Sequence, residues 1–358
     1  MHKLFALFLF VLSCAQAAGL PAYQPRPGHE RPLVAVVGDS EHTEITDFLL
    51  PYGVLQRAGV AQVLAVALEA APIQMNSGLR VQPDLTAAAF DQRYPEGADY
   101  LIVPAMMRAD HAPMLQWLRA QAAKGATVVS ICDGALVVAN AGLFKGHRGT
   151  GHWATHEQRV ASYRDTEWLA NARYVADGKV VSSAGISAAL PLSLALVEAI
   201  AGRDKASAVA AELGVSDWSA QHDSGVYAPR FGHNLSIWIT HYTDRWLHGR
   251  RDLGLPLADG FDEIALAYTS DAYTRTHRSR VLTVAPSDAP LASRHGLRVL
   301  PDRQAGAADA PAAQLPALDA SRPAQVLDQV LARIAGEYGA RTAQRIALEF
   351  EYPGYQAR

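Results

Sequence analysis

The sequence predicts an α/β fold with a mostly parallel sheet and helices on both faces, and three observations carry that expectation. Continuous apolar runs recur along the first half: LVAVV (Leu33 to Val37), VLAVAL (Val63 to Leu68), YLIVPA (Tyr100 to Ala105) and TVVSI (Thr127 to Ile131). Runs without in-out alternation belong to strands buried on both faces. Between them lie stretches with helical spacing that stop at glycine, such as EITDFLLPYGVLQRAG ending at Gly59 and MLQWLRAQAAKG ending at Gly125. Strand and helix alternating at this interval indicate crossover connections and hence a parallel sheet.

The elements follow in order. A polar, proline-rich lead-in (Ala22 to Pro32) precedes the first strand. A short strand, LRVQ (Leu79 to Gln82), follows VLAVAL. TVVSI runs directly into CDGALVVANAG, a helix that stops at Gly142. KVVSSAG (Lys179 to Gly185) and the helix PLSLALVEAIAG (Pro191 to Gly202) complete a unit placed at 33–223. Residues 224–358 read as a degenerate second copy. Val281 to Asp302 matches Val63 to Asp84 at 12 of 22 positions, and the C-terminal VLARIAGEYGARTAQRIALE echoes LVEAIAGRDKASAVAAELG. DEIALAYT (Asp262 to Thr269) is expected to be the first strand of that copy. Arg230 to Gly254, aromatic and basic, is expected to be a helix that covers a site mouth, meets the second copy or touches a membrane surface. The Ala/Pro-rich stretch Gln304 to Pro323 reads as a flexible loop.

Composition narrows the function classes. Across 358 residues, 49% are hydrophobic, 19% are charged and the net charge is −3, which suits a chain with a sizeable core and argues against a broad nucleic-acid surface. Residues 1–18 read as a signal peptide: Lys3, an apolar run from Leu4 to Ala15, and an Ala15-Gln16-Ala17 cleavage pattern. That run is too short to span a bilayer, so export to the periplasm or medium with no transmembrane segment is expected. VLSC also offers a weak lipid-attachment motif at Cys14. With cleavage after Ala17, Cys132 becomes the sole thiol, and no disulfide can form within the mature chain. No clustered Cys, His or paired carboxylates at metal spacing occur, and no glycine-rich phosphate loop, so no cofactor and no metal are expected.

Cys132 is the chemically informative residue. A buried strand that ends in Cys-x-Gly and turns straight into a helix forms an elbow presenting the side chain at the carboxyl ends of the strands. Gly134 leaves room for that turn, and the helix N-terminus behind it favours thiolate. Asp133 reads equally as a general base or as a helix N-terminal residue held by free N–H groups. His152 is a candidate acid–base group or a structural residue.

These segments resemble the ThiJ/PfpI family of the class I glutamine-amidotransferase-like superfamily, nearest its isocyanide hydratase-like branch and the sensor domains of AraC-type regulators. The resemblance rests on the Cys-x-Gly elbow, AGLFKG (Ala141 to Gly146), GTGHW (Gly149 to Trp153), DGKVVSSAGISAAL (Asp177 to Leu190), and an acid four residues before Pro51 in DFLLP. It implies a flavodoxin-like sandwich, Cys132 as nucleophile, and Asp47 as a protonated acid beside the sulfur, with Glu44 as fallback. The family's Pro-Gly-Gly loop, which supplies an oxyanion donor, reads Pro104-Ala105-Met106 here, so Ala105, Met106 and Gly134 are the candidate substrate or oxyanion contacts and Met106 is expected to narrow the pocket. The implied activity is hydration or hydrolysis of a small electrophile; the alternative is ligand binding or oxidative sensing. The expected partner is a small molecule, and the expected assembly is a monomer with an internal pseudo-dimer or a homodimer.

Overall fold

The computed structural model describes residues 19–26, 29, 31–317 and 321–355. The signal peptide and the Cys14 motif lie outside them. The first half runs β1 (Leu33–Gly38), α1 (Ile45–Ala58), β2 (Gln62–Ala67), the hairpin β3 (Ile73–Gln74) and β4 (Arg80–Gln82), β5 (Leu85–Thr86), α2 (Ala87–Arg93), β6 (Tyr100–Val103), α3 (Ala112–Ala123), β7 (Thr127–Ser130) and α4 (Gly134–Asn140). It continues through β8 (Arg148–Gly149), α5 (His156–Ser162), β9 (Glu167–Trp168), β10 (Tyr174–Asp177), β11 (Val180–Ser183), α6 (Ala189–Ala201) and α7 (Arg203–Leu213). The main sheet has the order β10-β11-β7-β6-β1-β2-β5, parallel except for the edge pair β10–β11.

Period-two alternation sorts each strand between two cores. Val34 and Val36 face the core that also holds α1 and α6, whereas Leu33, Ala35 and Val37 face the one built with α3 and α4. Helix α1 is buried almost all round, because α6 and a helix of the second half pack on it as well as the sheet.

The second half runs α8 (Leu235–Trp238), α9 (Thr240–Leu247), β12 (Arg251–Pro256), α10 (Glu263–Arg275), β13 (Ser279–Ala285), β14 (Leu291–Ala292), β15 (Arg298–Leu300), β16 (Arg303–Gln304), α11 (Val326–Tyr338) and α12 (Ala340–Glu349). The order β12-α10-β13-β14-β15-β16 parallels β1-α1-β2-β3-β4-β5, and β12, β13 and β16 form their own parallel sheet. Asp262 to Thr269 is therefore not a strand. Asp262 caps α10, its carboxylate accepting from Ile264 N and Ala265 N, both at 3.0 Å. The first strand of this half is β12. The expected helix over Arg230 to Gly254 likewise ends at Leu247, and its last residues join β12. Within the Ala/Pro-rich stretch, Leu315 N donates to Gly254 O at 2.7 Å and docks that segment on β12.

Contacts between the halves are reciprocal. Strands β4 and β15 pair antiparallel with Val81 opposite Val299, joining the two hairpins into one four-stranded sheet. Helix α1 packs on α10. Arg57 near the end of α1 pairs with Asp262, the cap of α10, and Arg275 at the end of α10 pairs with Glu44, the cap of α1, at 3.0 Å.

Candidate active site around Cys132

Strand β7 ends at Ser130, and the chain turns through Cys132 into α4 with Cys132 at φ 55°. A left-handed backbone at a residue that is not glycine is uncommon and strained, and it marks a nucleophile elbow. Gly134 makes the turn feasible: a Cβ there would sit 2.1 Å from Val103 O. The same contact shows what Gly134 does. It packs against β6, and its N–H donates to Ile131 O at 2.7 Å, so that amide is committed within the turn.

The sulfur is buried, with Cys132 only 5% exposed. Burial pushes the thiol well above its ordinary value, and the neighbouring acids Asp47, Asp133 and Glu44 push the same way when ionised; the Asp133 N–H, hydrogen-bonded to the sulfur, acts against them. The helix N-terminus was expected to favour thiolate. Its contribution, about 0.3–1 kcal/mol, is small beside burial, which moves such groups by several pH units.

Asp47 is fully buried on α1. Burial raises its carboxyl well above the ordinary range and Glu44 adds to this, so Asp47 keeps its proton well above the usual range. Its Oδ2 accepts from Ala105 N at 3.1 Å, which commits that amide, and its Oδ1 has no hydrogen-bond partner. Glu44 is held by Asn76 Nδ2 at 2.6 Å and by Arg275. Met106 is buried among the α3 and α4 side chains, in the core across the sheet from the one holding Cys132, so the expected narrowing of the pocket does not follow from its placement.

Asp133 accepts from Thr155 Oγ1 at 2.5 Å and lies 3.6 Å from Arg159 Nη1. His152 is engaged through both ring nitrogens: Nε2 reaches Glu349 O at 3.0 Å, and Nδ1 accepts from Ala154 N at 3.2 Å. Both residues thus anchor the GTGHW loop.

The segment at the end of α12 completes the surroundings, which no local pattern announced. Glu351 has φ 51° and is fully buried. Its carboxylate accepts from Gly185 N (3.0 Å), Trp153 N (3.2 Å) and Ser224 Oγ (2.9 Å) and pairs with His222 Nε2 (2.6 Å). Burial alone would raise this acid, but its hydrogen bonds to His222 and Ser224, together with the nearby His152 and His222 imidazoles, outweigh it and hold the carboxyl below its ordinary value. Two guanidiniums feel both the sulfur and this C-terminal segment: Arg159 interacts with Cys132 and Glu351, and Arg275 with Cys132 and Glu349.

The sequence offered no metal spacing, yet folding brings His241, His277 and Glu349 together, with ligand atoms within 4.8 Å of one another. Glu349 already pairs with Arg345 and lies 3.6 Å from Arg275 Nη1, so the trio is built as a half-buried polar cluster.

Comparison with known proteins agrees with this geometry. The DJ-1/PfpI family model matches residues 33–199. Isonitrile hydratase of Pseudomonas putida is 31% identical over 175 residues, covering 47% of this chain and 72% of that protein. Deglycase PfpI of Pyrococcus furiosus is 27% identical, over 39% of this chain and 82% of its own length. The crystal structure of Drosophila melanogaster DJ-1beta aligns with a TM-score of 0.47 at 22% identity, over 52% of this chain and all of that one. By the family-model match over residues 33–199, which takes in Asp47 and Cys132, and by the 31% identity to isonitrile hydratase over most of that protein's length, the chain belongs to the DJ-1/PfpI family.

Proposed function

We propose that this chain hydrates or hydrolyses a small electrophile through Cys132, without a cofactor. The observation that carries the reading is the strained elbow. It holds the sulfur on the Asp133 N–H, within interaction range of Asp47, a buried acid that keeps its proton. The likeness to isonitrile hydratase supports a carbon electrophile as substrate.

In the proposed reaction the S–H of Cys132 adds across the multiple bond of the substrate. Sulfur bonds to carbon, and Asp47 carries the proton between thiol and substrate. Water then displaces sulfur and restores the thiol, so one water is consumed. An isocyanide would yield a formamide; with an activated ester the adduct first expels the alcohol, which leaves with the thiol's proton, and water then releases the acid from the thioester. Residues 224–358 are read as a degenerate second copy standing where a dimer partner would, and the N-terminal apolar run supports export.

The second reading is ligand binding or oxidative sensing, and one observation favours its ligand-binding form: a thiol 5% exposed and pushed upward reacts slowly as a nucleophile, with peroxide as with carbon electrophiles. A panel of an isocyanide, methylglyoxal and an activated ester, run with the wild-type chain and Cys132→Ser, separates the two. Turnover that the variant lacks, with a Cys132 adduct in the mass spectrum, supports catalysis. No turnover together with conversion of Cys132 to a sulfenic or sulfinic acid by peroxide supports sensing and rejects the catalytic reading.

A further inference from the structure

Helices α8 and α9 wear their amphipathic faces inside out. The polar side points inward. Asp244 is buried, accepts from Thr342 Oγ1 at 2.9 Å and faces Arg278 and Arg345, each at 3.7 Å. His241 lies against Glu349 at 3.6 Å, and buried Asn234 donates to Val226 O and Ala228 O. The apolar side points outward. Leu235, Ile239, Tyr242 and Trp246 follow one another at helical spacing, flanked by Phe231 and Leu247, and all six are exposed, Phe231 to 92%, Trp246 to 72% and Leu247 to 73%. A helix of a water-facing protein normally does the reverse, and an exposed apolar stripe of this length marks an interaction surface.

The charges around the stripe identify what it meets. From Arg230 to Arg251 the only acid is Asp244, which is buried. Arg230, Arg245 and Arg250 are exposed beside the stripe and have no carboxylate within ion-pair distance among the described residues, and His233 and His248 are exposed with them. Tryptophan, tyrosine and aliphatic residues bordered by arginine are the composition that settles at the boundary between headgroups and acyl chains. A second copy of this chain would bring arginine against arginine.

We propose that α8 and α9 dock this protein on the surface of an anionic phospholipid bilayer, with Phe231, Ile239, Trp246 and Leu247 entering the interface and Arg230, Arg245 and Arg250 contacting lipid phosphates. The docking element rests on the wall of the Cys132 site, since Trp238 packs edge-on against Trp153 of the GTGHW loop at 5.2 Å.

The test reads depth at the patch itself, so it holds whether or not the N-terminal apolar run is retained. The full chain carries a nitroxide label at Leu247→Cys in a Cys14→Ser, Cys132→Ser background and is mixed with vesicles of phosphatidylglycerol and phosphatidylcholine in equal parts, or of phosphatidylcholine alone. On the anionic vesicles the label is expected to collide with oxygen far more than with an aqueous nickel chelate. The inserted fraction should fall by about tenfold or more with Arg245→Glu and Arg250→Glu together, as removal of two arginines from an anionic surface requires. A label that stays in water on both vesicles, or inserts equally in both, overturns the proposal. So does sedimentation equilibrium showing two copies joined through this face and separated by Ile239→Glu.

Discussion

At Cys132 the backbone is held left-handed and the thiol is kept protonated by its surroundings, so its reactivity should be modest at neutral pH and rise with alkali. Alkylation by iodoacetamide is expected to accelerate only above the ordinary thiol range, and a thiolate absorbance already present at pH 7 would contradict this. If catalysis runs through this sulfur, Cys132→Ser should lower turnover by about a thousandfold or more. Asp47 gives a stability signature of its own. Its folded value lies above the ordinary 3.8, so the protein loses stability as pH rises from about 3.8 through the raised folded value. Asp47→Asn should remove that loss, equalling the wild type at pH 3.5 and exceeding it at pH 7 in urea midpoints. His277 works with the opposite sign. Burial and Arg345 lower it to about 4, so stability present above 6.5 is lost as pH falls towards 4, and His277→Asn should flatten that limb.

At the scale of elements, the elbow and the C-terminal segment are the two tight fits. Gly134→Ala would drive a methyl into Val103 O, and a loss of more than about 3 kcal/mol in a denaturation curve is expected. Gly185 has the same relation to Glu351, whose Oε1 lies 2.5 Å from where a Cβ would stand. Glu351→Gln should cost about 3 kcal/mol at pH 7 by breaking a buried pair with His222, and the difference should shrink below pH 4.5, where the wild-type acid takes up its proton. The elements differ in how readable they were. The apolar run into CDG announced β7, the turn and α4, because all three signals are local. Asp262 to Thr269 misled because its apolar residues suit a short strand, while the cap formed by Asp262 decides for helix. Glu351, Arg275 and the trio with Glu349 had no local signal at all: each acts on residues more than a hundred positions away or on another element's end.

Across the whole molecule, the two halves hold one another through paired charges and a shared sheet. Arg57 and Arg275 each reach the acid that caps the other half's helix, and Val81 meets Val299 across the joined hairpins. Arg275→Met would leave Glu44 and Asp271 without their common cation, and a loss of about 3–5 kcal/mol is expected. The parallel sheet was legible because strands buried on both faces leave unbroken apolar runs. The repeated hairpin was legible because its register depends on sequence that both halves retain. The contacts between halves were not, because complementary charge at two helix ends has no signature until the helices cross.

The covalent link between the halves has a kinetic meaning. A site completed by Arg275 and Glu351 from the same polypeptide closes at a rate that dilution does not change, since the encounter is intramolecular with a fixed effective concentration. If catalysis runs through Cys132, specific activity should therefore stay constant from micromolar to picomolar protein, whereas an enzyme completed by a separate subunit would fade on the same titration.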